Sequence, residues 1–237
     1  MIGKSFFLSC LFFLFLCLSF QSKNDERDIV ISIKPVFRKD ILKLDTTQYI
    51  TDLNDTVSFT ALKFYISKIE LEYENGSKFK ESKSYHLIDL DKPTSLQFTL
   101  KKVTDSKIKK INFDIGIDSL TNVSNDFEGD LDPSLGMYWA WNSGYINMKL
   151  EGKSNSCTSA KKDFHFHIGG YLPNQNALQQ ISLPIVKKSN QLELNVDVSK
   201  WLNKTSLKET HSIMIPGKKA ISMAQLYKNI FFIDEEK

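Results

Sequence analysis

Disulfides are the first thing this chain lacks. It has three cysteines in 237 residues, and two of them, Cys10 and Cys17, sit in the apolar N-terminal segment. Cys157 is left alone in the remainder, where one thiol cannot form an internal bridge, so the domain must be held by its core. An excess of one charge is lacking too. The 31 basic and 28 acidic residues leave a net charge of +3, and no basic stripe interleaved with aromatics appears, which argues against nucleic acid as a partner. No internal repeat, low-complexity tract or linker divides the chain, and beyond Phe20 no apolar run is long enough to span a membrane. A Gly-rich phosphate loop, a nucleophile elbow and a paired-His helical zinc motif are all missing. Ser, His and Asp show no spacing that marks a triad, so nothing points to an enzyme.

What is present begins with an export pattern. Lys4 precedes an apolar run from Phe6 to Phe20, broken only by Ser9 and Ser19. That run is shorter than the ~20 residues of a spanning helix and fits a signal-peptide hydrophobic region. Residues 1–22 are therefore expected to be a signal peptide, cleaved after Ser19 or Ser22, with a short uncleaved anchor as the alternative. Cys17 is the candidate for lipidation and hence for a lipid anchor, although Leu14-Phe15-Leu16 before it is bulkier than the usual small pair. Either route places the domain in the periplasm or cell envelope, with no transmembrane segment in the mature chain.

From Asp28 onward the dominant pattern is period-two alternation. Strands are expected at 28–37, 62–73, 85–90, 96–103 and 108–117, then at 145–150, 163–168, 180–185 and 191–198. The alternation shifts phase near Ser67–Lys68, which predicts a bulge, and Asn75-Gly76 supplies a turn. Helical signal is scarce: Ala220–Phe231 carries apolar residues at three- and four-residue spacings, and Asp132-Pro133 could start a helical turn towards Asn142. With 17 Phe to fill a β core, the expected fold is all-β: a single antiparallel sandwich, Greek-key-like, over residues 28–235, with one short C-terminal helix.

Three segments could carry chemistry. In Asp163-Phe164-His165-Phe166-His167-Ile168-Gly169-Gly170, a strand puts His165 and His167 on one face and the apolar residues on the other. Two imidazoles so placed can converge on copper, zinc or nickel, or simply hydrogen-bond on a half-exposed face. The chain has four His in all. The second segment, Gly129 to Tyr145, holds Trp139 and Trp141 in an aromatic-rich turn; Asp130 and Asp132 there read as turn and cap residues. In the third, His211 and Met214 offer a nitrogen and a soft sulfur three residues apart, a pairing that suits copper. His86 reads as a strand residue facing solvent or the sheet, and Trp201 as packing at a strand end.

Gly136-Met137-Tyr138-Trp139-Ala140-Trp141-Asn142-Ser143-Gly144-Tyr145, with His167-Ile168-Gly169 about twenty residues on, resembles the signature of the MbnP-like copper-binding proteins. Leu62–Ser67 and Phe113–Asp118 resemble that family's early strands, and His211–Met214 with the helix after it resembles the tail of its Bacteroidota-type members. The resemblance implies copper bound outside the cytoplasm, for scavenging, storage or delivery. In some members a partner dihaem peroxidase-like protein oxidises a Trp to kynurenine, which joins His at the metal. Carried over by motif, the ligand is His167 and the oxidised residue is Trp139 or Trp141; His165, His211 and Met214 are additions from ligand chemistry. The methanobactin-associated branch has four paired Cys, and Cys157 alone departs from that pattern. The competing expectation is a sandwich without metal, an adhesion or carbohydrate-binding module using Tyr138, Trp139, Trp141 and Tyr145 as an exposed aromatic surface.

Overall fold

A computed structural model describes residues 25–234. The expected signal peptide, Cys10, the lipidation candidate Cys17 and the last residues of the chain lie outside the described residues. Two β-sheets account for most of the described fold.

The smaller sheet runs in the order Phe231–Ile233, Gln191–Asp197, Glu26–Phe37, Asp40–Ile41, with Gln97–Thr104 also paired to Glu26–Phe37. The larger runs Gln179–Pro184, Ile108–Ile115, Thr56–Tyr73, Gly144–Ser154, Asp163–Gly169, Ser212–Ile213. Alternation of apolar side chains explains how they pack. Ile29, Ile31, Ile33, Leu194 and Val196 of the small sheet bury against Phe64, Ile66, Phe113, Phe164 and Phe166 of the large one in a continuous core. Phe231 bridges the layers, its ring 5.7 Å from those of both Phe64 and Phe113. The result is a two-layer sandwich.

The expectation of a purely antiparallel sandwich needs correction. Glu26–Phe37 pairs parallel with Gln191–Asp197, Ile33 opposite Leu194, and Asp163–Gly169 pairs parallel with Ser212–Ile213. Both sheets are thus mixed. The reason is that period-two patterning states which face of a strand is buried but not the direction of the neighbour it meets. The single C-terminal helix is also corrected. Lys218–Gln225 and Tyr227–Ile230 are separate helices, and Phe231 enters a strand opposite Val196. Pro133–Leu135 is one 3₁₀ turn, N-capped by Asp132, whose side chain accepts from the Ser134 amide. The phase shift at Ser67–Lys68 is a real irregularity: register slips between Ser67 and Glu70, and Lys68 takes φ 52°.

The outer face of the large sheet is partly covered. Tyr65, Leu87, Ile117, Leu131, Met137, Trp139, Tyr145 and Ile146 form a second, smaller core. It forms because the segment after Ile115 folds back across the sheet before the Gly144–Ser154 strand begins. Tyr145 pins this cover, its hydroxyl donating to the carbonyls of Asp126 and Leu131.

Cys157 is fully buried in the main core, and desolvation pushes its thiol up to about 11. At pH 8 only about one thiol in a thousand is then the reactive thiolate. A chain starting at Asp25 should resist a colorimetric disulfide reagent while folded and react stoichiometrically in denaturant. Rapid labelling of the native protein would contradict this burial.

Candidate metal centre

The Asp163–Gly169 strand is set by its inner side. Phe164, Phe166 and Ile168 are completely buried, with Phe164 edge-on to Phe59 and Phe166 5.9 Å from Trp201. These anchors force Asp163, His165, His167 and Gly169 onto the outer face. On the neighbouring antiparallel strand, Glu151 lies opposite His165 and Lys149 opposite His167. Cross-strand neighbours on one face stand about 5 Å apart at Cβ, so register alone brings a carboxylate up to the two imidazoles.

The side chains complete that approach. His167 Nε2 is 2.6 Å from Glu151 Oε1, and His165 Nδ1 is 3.8 Å from the same oxygen. The imidazoles stand nearly perpendicular, 6.4 Å between centroids. One ligand atom from each of Glu151, His165 and His167 falls within 4.8 Å of the others, a spacing at which a single transition-metal ion could be held. Behind His165, Asp163 Oδ2 lies 3.3 Å from Nε2. A ligating imidazole is commonly oriented by such a carboxylate on its far nitrogen.

The electrostatics keep the carboxylates ionised. The hydrogen bond with His167 holds the Glu151 carboxyl below its ordinary range against the opposing effect of burial, and the charges of Lys149 and His165 act in the same direction. Asp163 is likewise lowered, chiefly by Ser159 and then by His165. Burial pulls Lys149 down. Its ammonium donates to the Gly136 carbonyl at 2.6 Å, tying the turn before Met137 to the sheet.

That turn delivers the tryptophans. Trp139 is 6% exposed and Trp141 64%, with 5.8 Å between their rings. The six-membered edge of the Trp139 indole sits over Gly169, where an added Cβ would meet it at 2.8 Å. Gly169 is two residues beyond His167 on the same face, so Trp139 closes that end of the histidine row and His167 is buried beneath the cover. Of the four rings considered for an aromatic binding surface, Trp139 and Tyr145 are buried and Tyr138 is half-buried. Trp141 alone is exposed, which leaves no aromatic platform.

The remaining residues singled out in the sequence lie apart from this group. The His211 carbonyl accepts from the His165 amide at 2.8 Å, yet its side chain is not among those that converge, and its Nδ1 is buried without a hydrogen-bond partner. Met214 follows Ile213, the residue in register with Phe166, and stands 43% exposed. His86 stacks on Phe98 at 3.8 Å and bonds to Glu81. The residue missed from sequence is Glu151. It is the one acidic residue of its strand, and pairing that strand with the histidines would have found it.

Among known proteins, the chain matches the sequence model of the MbnP family across residues 26–215. Its fold is similar to the solved structure of MbnP from Methylosinus trichosporium, with a TM-score of 0.58 at 11% identity, covering 82% of this chain and 83% of that one. At that identity the likeness is one of fold. No curated protein sequence matches.

Proposed function

Because the chain belongs to the MbnP family, and because two imidazoles and a carboxylate converge on its sheet, we propose that it is an exported copper-binding protein acting in copper scavenging, storage or delivery in the periplasm or cell envelope. The observation that carries this reading is the approach of Glu151, His165 and His167 to within 4.8 Å of one another. Imidazole nitrogens suit copper, and the residues present fit a metal without rearrangement of the strands. His167 is the central ligand, His165 the second. Met214, exposed at the adjoining edge, and His211, with its orphaned Nδ1, are the reserve donors of the same edge.

Burial of Trp139 against Gly169 supports it, rather than Trp141, as the residue a dihaem peroxidase-like partner would oxidise to kynurenine. Trp141, exposed beside it, is the ring a partner would meet first. Intact mass spectrometry of protein from its native host tests this. Conversion of one Trp loses a carbon and gains an oxygen, an increase of about 4 Da, and peptide mapping assigns it to Trp139 or Trp141. The same spectrum would report a lipid on Cys17.

Copper loading followed by gel filtration and metal analysis tests the reading as a whole. The wild type is expected to retain about one equivalent. His167→Ala should weaken binding by roughly 100-fold or more, since even residues behind a ligand cost 10- to 100-fold when removed. Thermal unfolding separates that loss from misfolding. A wild type that retains no copper would defeat the proposal.

A further inference from the structure

The bulge at Ser67–Lys68 opens a cavity that the histidine face does not use. Between Ser67 and Glu70 the Thr56–Tyr73 strand takes three steps, while the facing Ile108–Ile115 strand takes two, from Asp114 to Asn112. An extra residue of this kind bends its strand away from the partner. Ser84 holds it out, its carbonyl accepting from the Lys68 amide and its hydroxyl from the Ile69 amide. The gap is a cavity of about 300 Å³, at the small end of the range for ligand pockets. Its charged lining is Lys68, Glu70, Lys80, Glu81 and Asp114, three carboxylates against two ammoniums. Asp114 is the buried carboxylate of the set, 6% exposed, and a carboxylate so placed ordinarily has a partner. Each neighbouring donor is committed elsewhere. Ser67, directly opposite, gives its hydroxyl to the Gly116 carbonyl at 2.6 Å, and Lys68 reaches Asp118 at 3.5 Å. Lys80, Lys78 and the Asn112 amide all go to Glu70. Glu81 is taken by the Ser84 hydroxyl and His86. Among the described residues, the Asp114 side chain is left lining the cavity with neither hydrogen bond nor ion pair.

We propose that this cavity binds a small organic amine as its ammonium ion, with Asp114 as the carboxylate that recognises it. An ammonium brings both the charge and the N–H donors that Asp114 lacks, in a charge-assisted hydrogen bond. A metal dication fits less well, because Glu70, Glu81 and Asp114 do not bring three donor atoms together as Glu151, His165 and His167 do. Burial, opposed by the Lys68 ammonium and reinforced by the Asp118 carboxylate, holds the Asp114 carboxyl above its ordinary value, as expected of an acid without a fixed cation. The proposal shares no residue with the histidine centre and stands independently of the copper reading.

The test uses the full chain as processed by an exporting host, in metal-free buffer because amines also bind copper. The probes are n-butylamine, 1-butanol as its neutral counterpart, and tetramethylammonium as a cation without N–H donors. Titration followed by nuclear magnetic resonance should give saturable shifts at residues 68–70, 81 and 112–114 with butylamine. The alcohol and tetramethylammonium should bind at least about tenfold more weakly. Asp114→Asn keeps the shape and removes the charge, and should lower butylamine affinity by about 10- to 100-fold, the range for hydrogen bonds to a charged group. Wild-type affinity should rise with pH as Asp114 ionises, the amine staying protonated to about pH 10, and Asp114→Asn should lose that rise. A carboxyl whose pKa is raised by folding opposes folding once ionised, so Asp114→Asn should also raise the melting temperature at pH 7. Gln180→Arg puts a guanidinium opposite Asp114 on the neighbouring strand. It should supply the cation from within and abolish amine binding.

No response to butylamine in the wild type, or an equal response to butanol, would overturn the proposal. Undiminished binding in Asp114→Asn would overturn the role of Asp114. A lower melting temperature in Asp114→Asn, with binding independent of pH, would show that Asp114 is held by a partner within the fold, and would overturn it too. Where Asp114→Asn fails to fold, the wild-type pH profile and the exposed-site variant Gln180→Arg decide the matter. None of these outcomes bears on copper.

Discussion

Trp201→Ala is expected to lower the unfolding free energy by about 3–5 kcal/mol, the usual cost of emptying a large aromatic site in a core. Trp201 is completely buried on the short helix Ser199–Leu202. Its ring packs 5.5 Å from Tyr227 and 5.9 Å from Phe166, and its indole N–H donates to the Met223 carbonyl at 3.1 Å. Truncation empties this site and removes one of two donors to that carbonyl, which keeps the Leu226 amide at 3.2 Å. For a domain of this size each kcal/mol moves the melting temperature by roughly 2–4 °C, so thermal circular dichroism should show a fall of roughly 6–20 °C. Phe166 is the inner anchor between His165 and His167, so the loss also loosens the backing of the histidine strand. If the proposed copper binding holds, the variant should keep it below the new transition, since none of the proposed ligands is touched. A shift under about 2 °C would mean that the helix carrying Trp201 does not dock on this core.

Gly170→Ala is expected to be nearly as costly, for a different reason. Gly170 follows directly on the histidine strand at φ 122°, in a region that L side chains rarely adopt. An added Cβ there would strike the backbone carbonyl of Gln175 and crowd Pro216 Cβ at 3.0 Å. Conformational strain of about 1–3 kcal/mol adds to an overpacking cost of about 1–3 kcal/mol. Gly76→Ala is the control. Gly76 also has positive φ, 82°, but open space around its would-be Cβ, so it carries strain alone. Urea denaturation of the two variants should therefore differ by the steric part, about 1–3 kcal/mol. Equal destabilisation would show that the Gln175 carbonyl yields freely. Because Pro216 belongs to the loop that follows Met214, Gly170→Ala should also disturb that edge and reduce any contribution of Met214 to copper affinity.

The faces of strands were legible in the sequence because apolar alternation is local. The core positions of Ile29–Ile33, Phe64–Ile66 and Phe164–Ile168 follow from it, and so does the bulge at Lys68, where the alternation breaks. Pair direction was not legible. Nothing in the composition of Gln191–Asp197 states that it runs parallel to Glu26–Phe37, because partner choice is decided by long-range packing. The spacing over Ala220–Phe231 reads as one helix, but the last position is taken by Phe231, whose contact with Phe64 and Phe113 outweighs helical continuation. The histidine face was readable within one strand. Glu151 was not, since it reaches His165 only through the register of two strands, and in isolation it is one charged residue between Lys149 and Lys153. His211 and Met214 are close to the site in sequence pattern, yet one presents its carbonyl to His165 and the other stands exposed at the edge.

The parallel pairing of the first strand has a consequence in time. Ile33 cannot meet Leu194 until nearly the whole chain has been made. At about 5–20 residues per second, the interval between the two is about ten to thirty seconds. Through that interval the Glu26–Phe37 strand has only Asp40–Ile41 and Gln97–Thr104 to pair with, and the small sheet keeps an open edge awaiting residues 191–197. Contacts of such long separation close late and slowly. For the exported protein proposed above, this delay is an advantage: a chain that cannot finish folding early stays threadable by a secretion pore. On that reading the histidine face, assembled from the last half of the sequence, is completed only after export.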